Sequence, residues 1–171
     1  KLIGLIENTV EGLVATVCPR LVSINNPLSS VNDVFNAIMV TGDAVGDVLF
    51  YGRGAGALPT ASAVVADIID AAKHQERDII SLDWEDSEDS SFIRSYKTAP
   101  VRIYARVRCS NADSLKELIT SQFGYVDFIP RKHRSTDELA FITPMLEESR
   151  IDKALGEISR SAGLMKKIRL L

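Results

Sequence analysis

The 171-residue chain reads as an α+β protein of two modules, a mixed β-sheet with a covering helix followed by a split βαββαβ domain. Three observations predict this. The first fifty or so residues hold β-branched runs separated by turn chemistry, a single long apolar stripe at helical spacing follows, and beyond residue 100 the periods alternate strand, helix, strand, strand, helix, strand. Between the modules lies a polar, acid-rich stretch, so the expected division is 1–76, a linker over 77–99, and 100–171.

Lys1-Leu-Ile-Gly-Leu-Ile-Glu7 and Leu13-Val-Ala-Thr-Val-Cys18 flank Asn8-Thr-Val-Glu-Gly12, the composition of a hairpin. Pro19 to Asn32 is an irregular connection with a short helical turn at Leu28-Ser-Ser-Val31. Phe35 to Thr41 and Asp47 to Tyr51 are two further strands joined through Gly42-Asp-Ala-Val-Gly46. A helix over about 59–74 puts Ala61, Val64, Val65, Ile68, Ile69 and Ala72 on one face with Asp67 and Asp70 opposite, so it is expected to lie on the sheet. Several strands are apolar on both sides, which calls for cover on both faces from upstream chain or a second copy.

The connection carries five acids between Asp83 and Asp89 and one anchoring aromatic, Trp84. Without a glycine-turned loop and spaced ligands it is expected to be a solvated linker rather than a cation site. In the second module Val101, Ile103, Ala105, Val107 and Cys109 alternate with Arg102, Tyr104, Arg106 and Arg108, a strand with one apolar and one basic face. The basic face is expected to be solvated or subunit-facing, with anion recognition as the alternative. Leu115, Leu118, Ile119 and Phe123 keep helical spacing up to a capping Gly124. Tyr125–Ile129 and Leu139–Met145 are strands around the basic loop Pro130-Arg-Lys-His-Arg134. Ser149 and Asp152 have capping-box spacing before a helix with Ile151, Leu155, Ile158 and Ala162 inward, ended by Gly163, and 165–171 is the last strand. This is the ferredoxin-like order, with both helices on one face of an antiparallel sheet.

The stretch with the most chemical information is Asp47–Ala72: strand, Gly52-Arg-Gly-Ala-Gly56, helix with Pro59 in its first turn. Glycines there permit positive φ and a close backbone approach, and a helix N-terminus favours an anion. Gly52-Arg-Gly-Ala-Gly56 is not G-x-G-x-x-G, since Leu58 and Pro59 follow, and no acid stands about twenty residues on at a second strand end. A structural turn and a ligand-facing turn both remain open on spacing alone.

The segment Pro27-Leu-Ser-Ser-Val-Asn-Asp-Val-Phe-Asn-Ala37, continued through Gly42-Asp-Ala-Val-Gly46 and Phe50-Tyr-Gly-Arg-Gly-Ala-Gly-Ala-Leu-Pro-Thr-Ala-Ser-Ala-Val-Val-Ala-Asp-Ile69, resembles the closing part of the catalytic region of homoserine dehydrogenase. Residues after about 100 resemble the ACT regulatory domain that many members carry. The resemblance implies reversible NAD(P)-dependent hydride transfer between L-homoserine and L-aspartate 4-semialdehyde, on the route to threonine and methionine. It implies that Gly54 and Gly56 match the turn that approaches the nicotinamide cofactor. The nucleotide-binding domain and the acid and lysine residues credited with catalysis lie upstream of the matched part, so no catalytic residue is expected here. NAD or NADP is expected in the full-length protein, with none bound to this chain alone, which is expected to be inactive. Subunit pairing through the sheet, the ACT-like module or both is implied. Effector-binding members place an acid and Pro-Gly between the first strand and first helix of the module; here Ser110-Asn-Ala-Asp113 stands there, with Asp113 at the glycine position. That change favours a structural or dimerising role over threonine binding. A free-standing amino-acid sensor with a dimerising platform is the competing reading.

Composition excludes several classes. A net charge of −3 at 46% hydrophobic and 25% charged residues gives no reason to expect nucleic acid or an anionic membrane as a partner, since both favour a basic patch. No run reaches the roughly 18–20 apolar residues of a membrane span, and no signal segment opens the chain. Cys18 and Cys109 lack C-x-x-C spacing and are expected as buried, reduced thiols in a cytoplasmic protein. His74 and His133 are expected at the surface, with no nucleophile nearby, no acid spaced to orient either ring, and no metal-ligand spacing. The start at Lys1, inside a strand and without an initiator Met, suggests part of a longer polypeptide.

Overall fold

The computed structural model describes residues 1–74, 89–130 and 137–171. The acidic run up to residue 88, Trp84, and the loop residues Arg131 to Arg134 with His133 lie outside them. The strands are β1 (Leu2–Thr9), β2 (Gly12–Leu21), β3 (Phe35–Gly42), β4 (Gly46–Arg53), β5 (Pro100–Val101), β6 (Ile103–Arg108), β7 (Asp127–Phe128), β8 (Glu138–Ile142), β9 (Leu146–Glu147) and β10 (Gly163–Leu170). The helices are α1 (Ala57–Lys73), α2 (Ala112–Phe123) and α3 (Glu148–Ile158), with a 3-10 turn at Pro27–Ser30.

Two compact units form, and they divide the chain differently from the boundaries at 76 and 99. One joins Lys1–Val22 to Asp89–Leu171; the other is the described part of Ser23–Glu88. In the first, a six-stranded mixed sheet runs β1-β2-β10-β6-β8-β7. The N-terminal hairpin enters this sheet because β2 pairs in parallel with β10, Arg20 opposite Arg169 and Leu21 opposite Leu170. Its two-residue turn, Val10-Glu11, closes between Thr9 and Gly12. Gly12 has φ +131°, and a Cβ there would sit 2.2 Å from the Phe92 carbonyl oxygen, so the site requires glycine. Part of the expected linker is therefore structural: Leu13 N–H donates to Phe92 O at 2.7 Å and Arg94 N–H to Leu13 O at 2.8 Å.

Strands β6, β7, β8 and β10 with α2 and α3 form the split βαββαβ order read from the sequence. The alternation of β6 holds: Ile103, Ala105 and Val107 are buried while Arg102, Tyr104, Arg106 and Arg108 are not. Phe141 is fully buried between Phe123, 5.9 Å away, and Phe128, 6.3 Å away. Ile119, Ile151 and Ile158 from the two helices close the core, each contributing about 2 kcal/mol by burial. The buried hydroxyl of Thr143 accepts from Ile103 N–H at 3.0 Å, which satisfies it. Gly124 caps α2 with φ +73° and its N–H on Thr120 O at 2.8 Å.

Two expectations about this unit are corrected. No side chain caps α3, and Ser149 and Asp152 form no capping box; Glu148 N–H and Ser149 N–H donate to Ala99 O and Lys97 O, at 3.3 and 2.9 Å. Gly163 opens β10 rather than ending a helix. On the basic face of β6, Arg102 pairs with Asp127 at 2.7 Å and Arg108 with Asp137 at 3.5 Å within the module, while the Arg108 side chain stays 61% exposed.

In the second unit β3 and β4 pair over their whole length as a separate two-stranded sheet, rather than sharing one sheet with the first hairpin. Helix α1 forms with the expected stripe but buries none of it: Val64 is 53% and Ile68 61% exposed. Phe50 on β4 and Ile38 on β3 are exposed too. The periodicity fixes which face is apolar, and the described residues provide nothing to bury it against.

Candidate functional site

The glycine turn is built by the β3–β4 register. Asn36 stands opposite Gly52, and Gly54 N–H donates to Val34 O at 3.2 Å, which folds the chain back over the Asn36 side chain. A Cβ on Gly54 would lie 1.9 Å from Asn36 Nδ2, so a side chain at 54 would have to displace the exposed Asn36 side chain. Gly56 is the N-cap of α1 with φ +121°, a backbone that side chains rarely adopt, and its carbonyl accepts the first helical bond from Thr60 at 3.2 Å. A Cβ at Gly52 would touch nothing within 4 Å. Phe35 stacks on Tyr51 at 4.9 Å with the Arg53 guanidinium 5.2 Å over its ring, bracing the strand end beside the turn.

The start of α1 carries neither a capping side chain nor an acid in its first turn. What the turn offers a ligand is backbone, a positive helix end and little steric bulk, which suits approach to a charged or planar group. It has no side chain placed to move a proton. Gly54 and Gly56, the two residues expected at a cofactor, thus sit together at one turn, and Gly54 has its own structural reason.

A second concavity, about 240 Å³, opens in the βαββαβ module, lined by Cys109, Ser110, Asn111, Ser114, Leu115, Leu118 and Ser161. Asn111 caps α2, its Oδ1 accepting from Asp113 N–H at 3.0 Å and Ser114 N–H at 3.2 Å. Those two amides are therefore engaged internally, and Asp113 adds an exposed negative charge in the first turn. Burial, with the nearby Asp137 carboxylate, pushes the Cys109 thiol above its ordinary pKa.

His74 ends α1 as its C-cap, half-buried, with Nδ1 2.8 Å from Asp70 O. The expectation that no acid is spaced to orient it is corrected: Asp70 lies one helical turn back, its carboxylate 3.4 Å from Nδ1. Cys18 is half-buried rather than buried, and both thiols are free. Among the described residues no three His, Cys, Asp or Glu side chains group as for a metal ion, and no helix is long and apolar enough to cross a membrane.

Sequence reading missed one polar cluster. Glu148, 3% exposed, takes both Nε and Nη2 of Arg169, at 2.8 and 2.6 Å, while Lys167 on the same strand pairs with Asp152 on the next turn of α3. Beside them Arg20, 7% exposed, donates to Leu170 O and Thr16 Oγ1, each at 3.0 Å. The signal was present: acids four apart on a helix match cations two apart on a strand, both about 6 Å.

The fold and these sites define a class first: an α+β chain with a mixed sheet and a glycine-lined strand-to-helix turn, without an acid–base or metal constellation among the described residues. Comparison with known proteins then gives a likeness to one family over part of the chain. The homoserine dehydrogenase family model matches residues 1–69, the segment that contains the turn. Homoserine dehydrogenase from Neisseria gonorrhoeae is 51% identical over 78 residues, which are 46% of this chain and 18% of that protein. That of Synechocystis is 59% identical over 59 residues, 34% of this chain and 14% of that protein. In structure, the homoserine dehydrogenase of Thiobacillus denitrificans superposes with a TM-score of 0.80 at 26% identity, over 100% of this chain and 42% of that one. The S. aureus enzyme at pH 6.0 gives 0.72 at 25% identity, again over 100% of this chain and 41% of that one. Residues 1–69 are similar in sequence to homoserine dehydrogenases, and the chain as a whole has the mixed α+β fold of the corresponding part of those solved structures; it spans well under half the length of the relatives it matches.

Proposed function

We propose that this chain is the C-terminal portion of an NAD(P)-dependent homoserine dehydrogenase, the end of its catalytic region (1–76), a linker (77–99) and an ACT-type ferredoxin-like module (100–171). The complete protein interconverts L-homoserine and L-aspartate 4-semialdehyde, on the route to threonine and methionine. The observation that carries this is the family match over residues 1–69, which includes the strand, the glycine turn and most of the following helix. Gly54 and Gly56 hold the backbone side of the nicotinamide site; the turn fits that role by its lack of side chains and its uncapped helix start. The cofactor, when bound, supplies the hydride chemistry, and this chain supplies shape at one wall. Proton transfer needs a titratable side chain at the reacting atoms, and the turn has none, so the 171-residue chain alone is inactive.

The exposed apolar faces of α1 and β4 support burial against further chain or a second subunit, since open apolar surface of this extent is rare on soluble monomers. We therefore expect a cytoplasmic homo-oligomer. The deciding experiment expresses the complete reading frame and measures NAD(P)H formation with L-homoserine. No turnover with an intact cofactor domain overturns the assignment.

The competing reading, an amino-acid sensor, has one observation in its favour, the cleft beside Asn111. Against it stands the engagement of both α2 amides by Asn111. Saturating threonine, at about 100 times a dissociation constant, would stabilise a sensor by about 2.7 kcal/mol in thermal unfolding. Absence of a shift with threonine and the other amino acids removes the sensor reading.

A further inference from the structure

The N-terminal hairpin is joined to the main sheet of its unit by a short strand pairing, besides the bonds of Leu13 to Phe92 and Arg94. Two register pairs join β2 to β10, whereas eight join β1 to β2. The hydrophobic core of the βαββαβ module includes no residue from 1–22, and Val14 is the hairpin's only buried apolar side chain. The module can therefore keep its core with the hairpin detached.

What reinforces the short junction is ionic. Arg20 and Arg169 are register partners on adjacent parallel strands and line the same small void, so two guanidinium groups meet at the junction. One of them is neutralised at close range, Arg169 by the two oxygens of Glu148, at 2.8 and 2.6 Å. Arg20 is in ion-pair contact with no carboxylate among the described residues. Glu148 is the first residue of α3, and its N–H is tied to Ala99 O. Residues 92–99 form a strap across the unit: Tyr96 lies with its ring 5.4 Å under the Arg169 guanidinium, and the strap is bonded to the hairpin through Phe92 and Arg94. Helix start, strap, last strand and hairpin thus converge on one ion pair.

We propose that the Glu148–Arg169 pair is a clasp: while the carboxylate at the start of α3 holds Arg169, the hairpin stays joined to β10, and displacement of that carboxylate releases the hairpin and leaves the module folded. Without Glu148 the junction keeps the buried Arg20 beside the partly buried Arg169 with only two backbone register pairs between the strands, and like charges in poor solvent repel. Because the hairpin lies within residues 1–69, the clasp links the position of α3 to the segment that carries the family match. The inference stands on the geometry of this unit and not on the dehydrogenase assignment, so failure of the turnover assay leaves it intact.

The test is hydrogen–deuterium exchange, read by mass spectrometry, on the whole 171-residue chain and on Glu148→Gln, Glu148→Asp and Arg169→Lys. In Glu148→Gln, peptides covering 1–22 are expected to exchange about tenfold faster or more, while those covering β6, α2 and β8 stay within about twofold of the parent chain. Arg169→Lys keeps the cation and loses the paired fork, so it loosens the same peptides by less. Glu148→Asp, which restores the charge, recovers part of the protection. Unchanged exchange in 1–22, or acceleration spread evenly over the whole unit, overturns the proposal. So does global unfolding of both Glu148→Gln and Arg169→Lys, since the clasp would then not be local.

Discussion

Arg169 grips Glu148 through two nitrogens and two oxygens, 2.8 and 2.6 Å apart, across 21 residues of chain and against a buried carboxylate. This hydrogen bonding raises the Arg169 guanidinium above its ordinary pKa. Arg169→Leu strands Glu148 in a low-dielectric site and is expected to cost about 3 kcal/mol in urea unfolding. The double variant Glu148→Leu/Arg169→Leu removes the orphan and is expected to cost less than Arg169→Leu alone. A double variant less stable than the single one would show that the pair stabilises on its own account.

Gly12→Ala puts a methyl group 2.2 Å from the Phe92 carbonyl oxygen at a φ of +131°. Either the hairpin turn or the strap must move, and we expect a loss of about 2–3 kcal/mol. Gly46→Ala, at φ +69° with open space around it, meets only the backbone penalty of about 1 kcal/mol. Urea midpoints of the two variants separate contact from conformation.

The turn separates its glycines in the same manner. In the complete protein Gly54→Ala is expected to lower NAD(P) affinity about tenfold, because the new methyl collides with Asn36 Nδ2 and displaces the turn. Gly52→Ala meets no atom within 4 Å and is expected to leave cofactor affinity near the parent value. Asn36→Ala/Gly54→Ala removes the collision and recovers most of the loss, as contacting sites couple. Equal cofactor affinity in Gly54→Ala and the parent protein would place the turn away from the cofactor.

Asn111→Ala removes the acceptor for two amides at the start of α2, a loss of about 1 kcal/mol in thermal unfolding. If the helix start is closed to ligands because Asn111 occupies it, the parent chain shows no threonine-dependent shift. A saturable shift in the parent chain would contradict that.

The pH dependence of one thiol follows from its burial. Cys109 is held above its ordinary value of 9.0, first by burial and then by the Asp137 carboxylate. The folded state therefore binds this proton more tightly than the unfolded state does. Its contribution is fully present below pH 9 and is lost as the pH rises through the folded value. As the pH rises above about 9 the parent chain is expected to lose stability relative to Cys109→Ala. Parallel urea midpoints for the two would refute the assignment.

The hairpin, the alternation of β6 and the Gly124 cap were legible because each rests on neighbours in the chain: turn residues between β-branched runs, period two, glycine after an apolar helical stripe. The stripe of α1 was legible as a stripe, yet the conclusion that it lies on a core failed, since amphipathicity says which face seeks cover and not what supplies it. The Ser149–Asp152 pattern misled for a related reason: carbonyls of Lys97 and Ala99, fifty residues back, reached the helix start first. At the candidate site, glycine content and order were plain, whereas the reason for Gly54 lies in Asn36, which only the register of β3 on β4 brings beside it.

By itself the sequence determined the local grammar of this protein, its strands, helices and turns, and through a long run of matching residues its kinship. Tertiary structure alone decided that residues 1–22 join the sheet of the C-terminal module, that the arginines of β6 are neutralised within it, and that Glu148 meets Arg169. Periodicity is a property of consecutive residues, set by sterics and solvent within a few ångströms. Pairing across 150 residues, as from Arg20 to Leu170, depends on which closed loops bury enough surface and satisfy enough charge to offset the entropy of closing them.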